Sequence, residues 1–89
     1  MPQVTFTANL QRHLPTPRAD VPGATVREAL EGVFRDHPRL RGYVLDDQGR
    51  LRRHVMIFVD GEAIADRDGL AEPVRPDASI YVMQALSGG

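Results

Sequence analysis

Few residues of this chain are suited to chemistry, and the most unusual group is the closing segment Ala85-Leu86-Ser87-Gly88-Gly89, which ends on a carboxylate that no side chain shields. An enzyme that activates a protein carboxylate with ATP must draw the chain end into a narrow channel. A nucleophile must then reach the terminal carbonyl, and any Cβ would obstruct it. Glycine has no Cβ and adopts dihedrals that other residues avoid, so Gly88 and Gly89 suit a thin, flexible strip. Ser87 is small enough to follow them, and Leu86 offers an apolar foothold. The competing reading is a frayed terminus, since chain ends are commonly small, polar and disordered.

Other constellations carry less. His13, His37 and His54 have no short ligand spacing and no cysteine companions, so no metal site is expected. His37 fits a helix C-terminus, where a cation is favoured. Arg50, Arg52 and Arg53, next to His54, form the one dense basic stretch. No aromatic residues interleave with it for base stacking, so a solvated face or a dock for an acidic partner surface fits better than nucleic acid. Asp46-Asp47-Gln48-Gly49 offers too few oxygens for a calcium loop and reads as a turn. Ser87 has no base placed near it and does not read as a nucleophile. No catalytic residue is expected, and the chain reads as a substrate or carrier.

The elements that would position these groups follow from the hydropathy pattern. Val4, Phe6 and Ala8 alternate with Thr5, Thr7 and Asn9, the mark of a half-buried strand. Prolines 15, 17 and 22 make Gln11–Gly23 a loop, with at most a short edge strand near Arg18–Val21. Val26, Ala29, Leu30, Val33 and Phe34 form one helical stripe over about 26–36. Thr25 with Glu28 fits a capping box at its start, and Pro38 disfavours helical geometry at His37. Residues 39–53 read as an irregular excursion with a small hairpin around the Asp46–Gly49 turn. His54–Ile64 then gives a strand, a two-residue Asp60-Gly61 turn and a return strand. Leu70 and Val74 are expected core anchors, and Ser79-Ile80-Tyr81-Val82-Met83-Gln84-Ala85-Leu86 a last strand.

The pattern predicts an α+β fold with one main helix packed on a small mixed sheet of four to five strands. The domain should occupy residues 1–85, with 86–89 a flexible tail. If Val55, Ile57 and Val59 face the helix, Met56 and Phe58 face outward; if Ile80 and Val82 point in, Tyr81 and Met83 point out. Were those strands neighbours, the four side chains would form an exposed apolar patch of the kind that marks a partner surface. The alternative is that residues 40–51 fold across and cover it.

Composition narrows the classes further. With 89 residues, 42% apolar and 26% charged, the chain should fold as one modest globular domain. The charge of -1 is interleaved along the chain and leaves no nucleic-acid footprint. No apolar run is long enough to span a bilayer, so a cytoplasmic protein with no membrane partner is expected. Cysteine is absent, which excludes disulfides and thiol redox chemistry on this chain. Every basic side chain other than histidine is arginine, so the chain offers no side-chain amine for isopeptide formation.

Taken together, the first strand, the helix Thr25–Phe34, the strand and turn Val55–Glu62, the turn Pro76–Ile80 and the terminal Ala85–Gly89 resemble the MoaD/ThiS family of ubiquitin-like β-grasp sulfur carriers. The long segment between helix and third strand is most similar to the CysO-like carriers of cysteine and thiocarboxylate-metabolite biosynthesis. The resemblance implies that an E1-like adenylating enzyme activates the Gly89 carboxylate and that sulfur displaces AMP to leave a thiocarboxylate. A downstream sulfur-accepting synthase would receive it. ATP would be used by the partner, with no resident cofactor on the carrier. Gly89 would bear the sulfur, Gly88 and Ser87 would form the leash, and Leu86 with Met56, Phe58, Tyr81 and Met83 would dock the activating enzyme. A monomer is expected, because a patch reserved for a partner should not be consumed by self-association. Two alternatives use the same residues differently. A ubiquitin-like modifier would join Gly89 to lysines of targets and be removed by a desampylase-like metalloprotease. A non-covalent β-grasp interaction module would use the patch alone. The sequence separates neither from sulfur carriage and names no pathway.

Overall fold

The computed structural model describes residues 1–7 and 18–84. Strands β1 (Gln3–Phe6) and β2 (Arg18–Asp20) are followed by helices α1 (Val26–Asp36) and α2 (Pro38–Val44). Strands β3 (Val55–Val59), β4 (Glu62–Ala63) and β5 (Ser79–Gln84) complete the order. They form one five-stranded mixed sheet, ordered β2-β1-β5-β3-β4, in which β1 and β5 run parallel and the other pairs antiparallel. The last strand is therefore the central one. This is the α+β architecture expected from the hydropathy pattern, with five strands. Ala8, Asn9 and His13 lie outside the described residues, as do Ala85 to Gly89.

The faces of the sheet follow the two-residue alternation. Val4 and Phe6, Val55 and Ile57, and Ile80 and Val82 point into the core, which also takes Val26, Ala29, Leu30, Val33 and Phe34 from α1. Val59 is only partly buried and packs against that core. Leu70 and Val74 join it, as their place in a turn-rich stretch requires if that stretch is to stay on the domain. Leu70 does so at φ 53, a left-handed backbone uncommon for a branched residue, which its complete burial holds in place.

Local chemistry sets the ends of α1. The Thr25 hydroxyl accepts from the Glu28 amide at 3.2 Å, and the Glu28 carboxylate accepts from the amide of Ala24 at 2.9 Å, one residue before the usual capping-box partner. The approach to the helix is tight, since a Cβ on Gly23 would stand 2.7 Å from the Ala29 nitrogen. At the other end His37 leaves helical geometry at φ -135 and ψ 71, and its amide donates to the Val33 carbonyl. The β3–β4 hairpin turns on Asp60 (φ 49) and Gly61 (φ 88), the positive pair that suits a two-residue turn.

Residues 39–53 differ from the expectation of an irregular excursion. They open with α2, in which Pro38 occupies the first turn, where its missing amide costs nothing. Leu40 and Val44, four residues apart, are fully buried, and Arg41 pairs with Glu31 of α1 and lies 6.0 Å over the Phe34 ring. The expected small hairpin follows as a single bridge, Leu45 to Leu51, around the Asp46–Gly49 turn. Leu40, Val44, Leu45 and Leu51 all belong to the one core, so this segment packs on the helix side of the sheet.

Candidate functional site

On the sheet face away from α1, register decides what lies beside what. Met56 of β3 pairs with Met83 of β5, and Phe58 pairs with Tyr81. Directly opposed side chains on one face stand about 4.5–5.5 Å apart at Cβ, so the four form one contiguous apolar square. Met56 is 43% exposed, Tyr81 46% and Met83 41%, while Phe58 is half-buried between its neighbours. The row through Tyr81 continues to Thr5 and Arg18 on one side and to Ala63 on the other. The surface is thus apolar over β3 and β5 and polar over β1 and β2. Because residues 39–53 lie on the opposite side, they do not cover the square.

The square sits at the tail-exit end of the sheet. Gln84, the last described residue of β5, pairs with Val55 at the start of β3, one step beyond the Met56–Met83 pair. Leu86, Ser87, Gly88 and Gly89, the residues singled out as tail and sulfur-bearing group, lie outside the described residues.

A second feature adjoins the start of β3. A shallow cleft of about 590 Å³ is lined by Arg50, Arg52, Arg53, His54 and Arg67, with Asp46 and Asp68. Its walls are tied to the backbone. Arg67 donates through Nη2 to the carbonyls of Arg52 (2.7 Å) and Val55 (2.8 Å), and Arg52 Nε donates to Gly42 (2.7 Å). Arg27 of α1 binds the neighbouring loops from behind, donating to the carbonyls of Gly49 (2.7 Å), Gly69 (2.9 Å) and Asp68 (3.1 Å). Asp46 accepts from the amides of Arg50 (3.0 Å) and Gln48 (2.9 Å), which hold its carboxyl below the ordinary range, the Arg50 amide most strongly. Asp66 is lowered likewise, first by the amide of Gly69 and then by that of Ala71.

The structure brings Met56, Phe58, Tyr81 and Met83 together, because β3 and β5 are neighbours in a register that sets these outward residues opposite one another. It adds Arg67 to the Arg50–His54 stretch, a contribution from 13 residues beyond His54 that the local basic run does not signal. His37 caps α1 and His54 stands in the cleft wall, so the two have separate environments. Among the described residues no three potential ligands gather as a metal centre. Among them, too, no helix is long and apolar enough to cross a membrane.

Comparison with known proteins adds the following. The ThiS family model matches residues 4–89. Small archaeal modifier protein 1 of Haloferax volcanii is 36% identical over 75 residues, covering 83% of this chain and 82% of that protein. Its crystal structure superposes with a TM-score of 0.81 at 31% identity, over 99% of this chain and 98% of the other. A chain of the Amycolatopsis orientalis BexX/CysO complex superposes at 0.88 over the full length of both chains, and at 22% identity shares the fold.

Proposed function

This chain belongs to the ThiS/MoaD family of ubiquitin-like β-grasp proteins, and on that premise we propose that it is a sulfur carrier whose active group is the carboxylate of Gly89. In this reading a carboxylate oxygen of Gly89 attacks the α-phosphorus of ATP within an E1-like partner, forming an acyl-adenylate and releasing pyrophosphate. Sulfide then adds to the acyl carbon and AMP leaves, giving a thiocarboxylate and a proton. A donor persulfide reaches the same product through an acyl disulfide that a thiol reduces. The carrier contributes no catalytic group; it presents a reacting end and a surface that positions it.

One observation carries this reading. The exposed square of Met56, Phe58, Tyr81 and Met83 lies on the two strands next to the exit of β5, so a partner seated there stands where the chain continues toward Gly89. The matching family pattern runs through to that residue. Burying Met and Tyr side chains that already lie together gives the partner affinity without ordering a new surface. The test is pyrophosphate release by a candidate activating enzyme supplied with ATP and this chain. Release should require Gly89 and should persist, at a raised KM, when the square is weakened. Release that survives deletion of Gly88 and Gly89 would overturn the reading.

A second reading rests on the likeness to a protein named as a modifier. There the acyl group passes to a lysine of a target, which this lysine-free chain cannot itself supply from a side chain. A Leu-Ser-Gly-Gly remnant on target lysines would mark it, and a desampylase-like metalloprotease would be its natural counterpart. The β-grasp module without tail chemistry would instead keep its function after Gly88 and Gly89 are removed.

A further inference from the structure

The apolar square has a charged neighbour. The cleft at the start of β3 gathers four of the chain's eleven arginines against two aspartates, a positive concentration in a chain of formal charge -1. Arg53 and His54 are exposed, and they lead directly into Val55 and Met56, the residues that pair with Gln84 and Met83 at the exit of β5. The cleft therefore opens at the end of the sheet where the tail begins, on the helix side of the apolar square.

We propose that this basic cleft is a docking site for an acidic segment of the partner that receives the tail, with Arg53 as its leading contact and His54 beside it. The inference extends the carrier reading above and rests on it for the partner's identity. Three features select an acidic protein segment over a small phosphate. The cleft is shallow, so a compact anion would remain largely in water. Its guanidinium groups do not converge, because Arg52 and Arg67 are turned to backbone carbonyls and Arg50 to Asp46, 3.3 Å away. Asp46 and Asp68 lie in the same wall and would repel a doubly charged ion at short range. Carboxylates spread along a partner's chain can meet Arg53 and His54, the two exposed side chains that lead into β3, while staying clear of Asp46 on Arg50.

The tied guanidiniums also serve the proposal. Arg52 and Arg67 fix the backbone that carries Arg53, so binding has only the Arg53 side chain left to order. Charge at the rim of an apolar interface acts mainly on encounter rate and partner choice, and its effect fades with salt. The apolar square and the basic cleft, meeting at the end of the sheet, thus divide the task, the first holding the partner and the second orienting it over the tail exit.

The test uses the full chain, labelled with nitrogen-15, and a decapeptide of glutamates as probe. Its amides at residues 50–54 should shift on titration, the shifts should vanish in Arg53→Glu with His54→Glu, and they should weaken at high salt. Both substitutions fall on exposed side chains, and an unchanged spectrum elsewhere certifies the fold. Shifts that survive the double substitution, or that fall away from residues 50–54, overturn the proposal. Inorganic phosphate that saturates the same amides more tightly than the peptide overturns it in favour of a small-anion site. With an activating enzyme in hand, the double variant should raise KM about tenfold at low salt and leave kcat unchanged. Failure of the wild-type chain to be activated at all would count against sulfur carriage, while the peptide titration would still decide the cleft.

Discussion

Tyr81 and Val82 are adjacent on β5 and face opposite sides of the sheet, so replacing each by serine separates docking from stability. Tyr81 is 46% exposed, which leaves roughly 100 Å² for a partner to cover, or about 2 kcal/mol at ~25 cal/mol per Å² once its hydroxyl is set aside. That corresponds to about a thirtyfold rise in KM for the activating enzyme. Within the free domain Tyr81 is more than half covered, between Phe58 and Thr5 on the neighbouring strands, so Tyr81→Ser should cost about 1–2 kcal/mol of stability. Val82 is fully buried. Val82→Ser removes its methyl groups from the core and buries a hydroxyl there, a loss of about 3 kcal/mol, with little change in KM for the fraction that stays folded. Urea denaturation gives the stabilities and pyrophosphate release gives KM. If Tyr81→Ser leaves KM at the wild-type value, the square is not the docking surface. If it unfolds the domain as Val82→Ser does, the assignment of faces is wrong.

Three further outcomes follow from the geometry. Thr25→Ala removes the acceptor for the Glu28 amide and should cost about 1 kcal/mol of stability by denaturant titration, with activation unaffected. Leu40→Ala, in the second helix, should cost about 2–5 kcal/mol, because the side chain is fully buried; a loss near zero would show that α2 is not part of the core. Asp46 and Asp66 both have folded pKa values below the ordinary 3.8, so their contribution to stability is present above that value and is lost as pH falls through the lower folded values. Thermal melts from pH 6 downward should show this acid loss, and Asp46→Asn with Asp66→Asn should flatten it.

The parts legible in the sequence were those set by short-range periodicity. Alternation in Val55–Val59 and Ser79–Gln84 assigned inward and outward residues, and the Thr25–Glu28 spacing and the Asp60-Gly61 pair marked a helix start and a hairpin. Whether Met56 meets Met83 is a matter of register between strands far apart in the chain, which only the folded sheet fixes. Helix α2 is not legible in the pattern because it has seven residues, carries Gly42 within it and buries only Leu40 and Val44. Pro38 reads as the stop of one helix, and it is also the start of the next. The arginine braces were illegible for a different reason. Arg27 reaches Gly69 across 42 residues and Arg67 reaches Arg52 across 15, contacts that no local pattern encodes. Of the proposed site, the tail stood out by composition alone, whereas the cleft needed Arg67 brought back onto the Arg50–His54 stretch.

The most direct test of sulfur carriage is the intact mass of this protein after incubation with an activating enzyme, ATP and a sulfur donor, taken without reducing or alkylating treatment. The expected result is a gain of about 16 Da, one oxygen replaced by one sulfur, that is absent when Gly89 is deleted. An unchanged mass under conditions where the enzyme activates a known carrier, or a gain that persists without Gly89, would contradict the assignment of this chain as a C-terminal thiocarboxylate carrier.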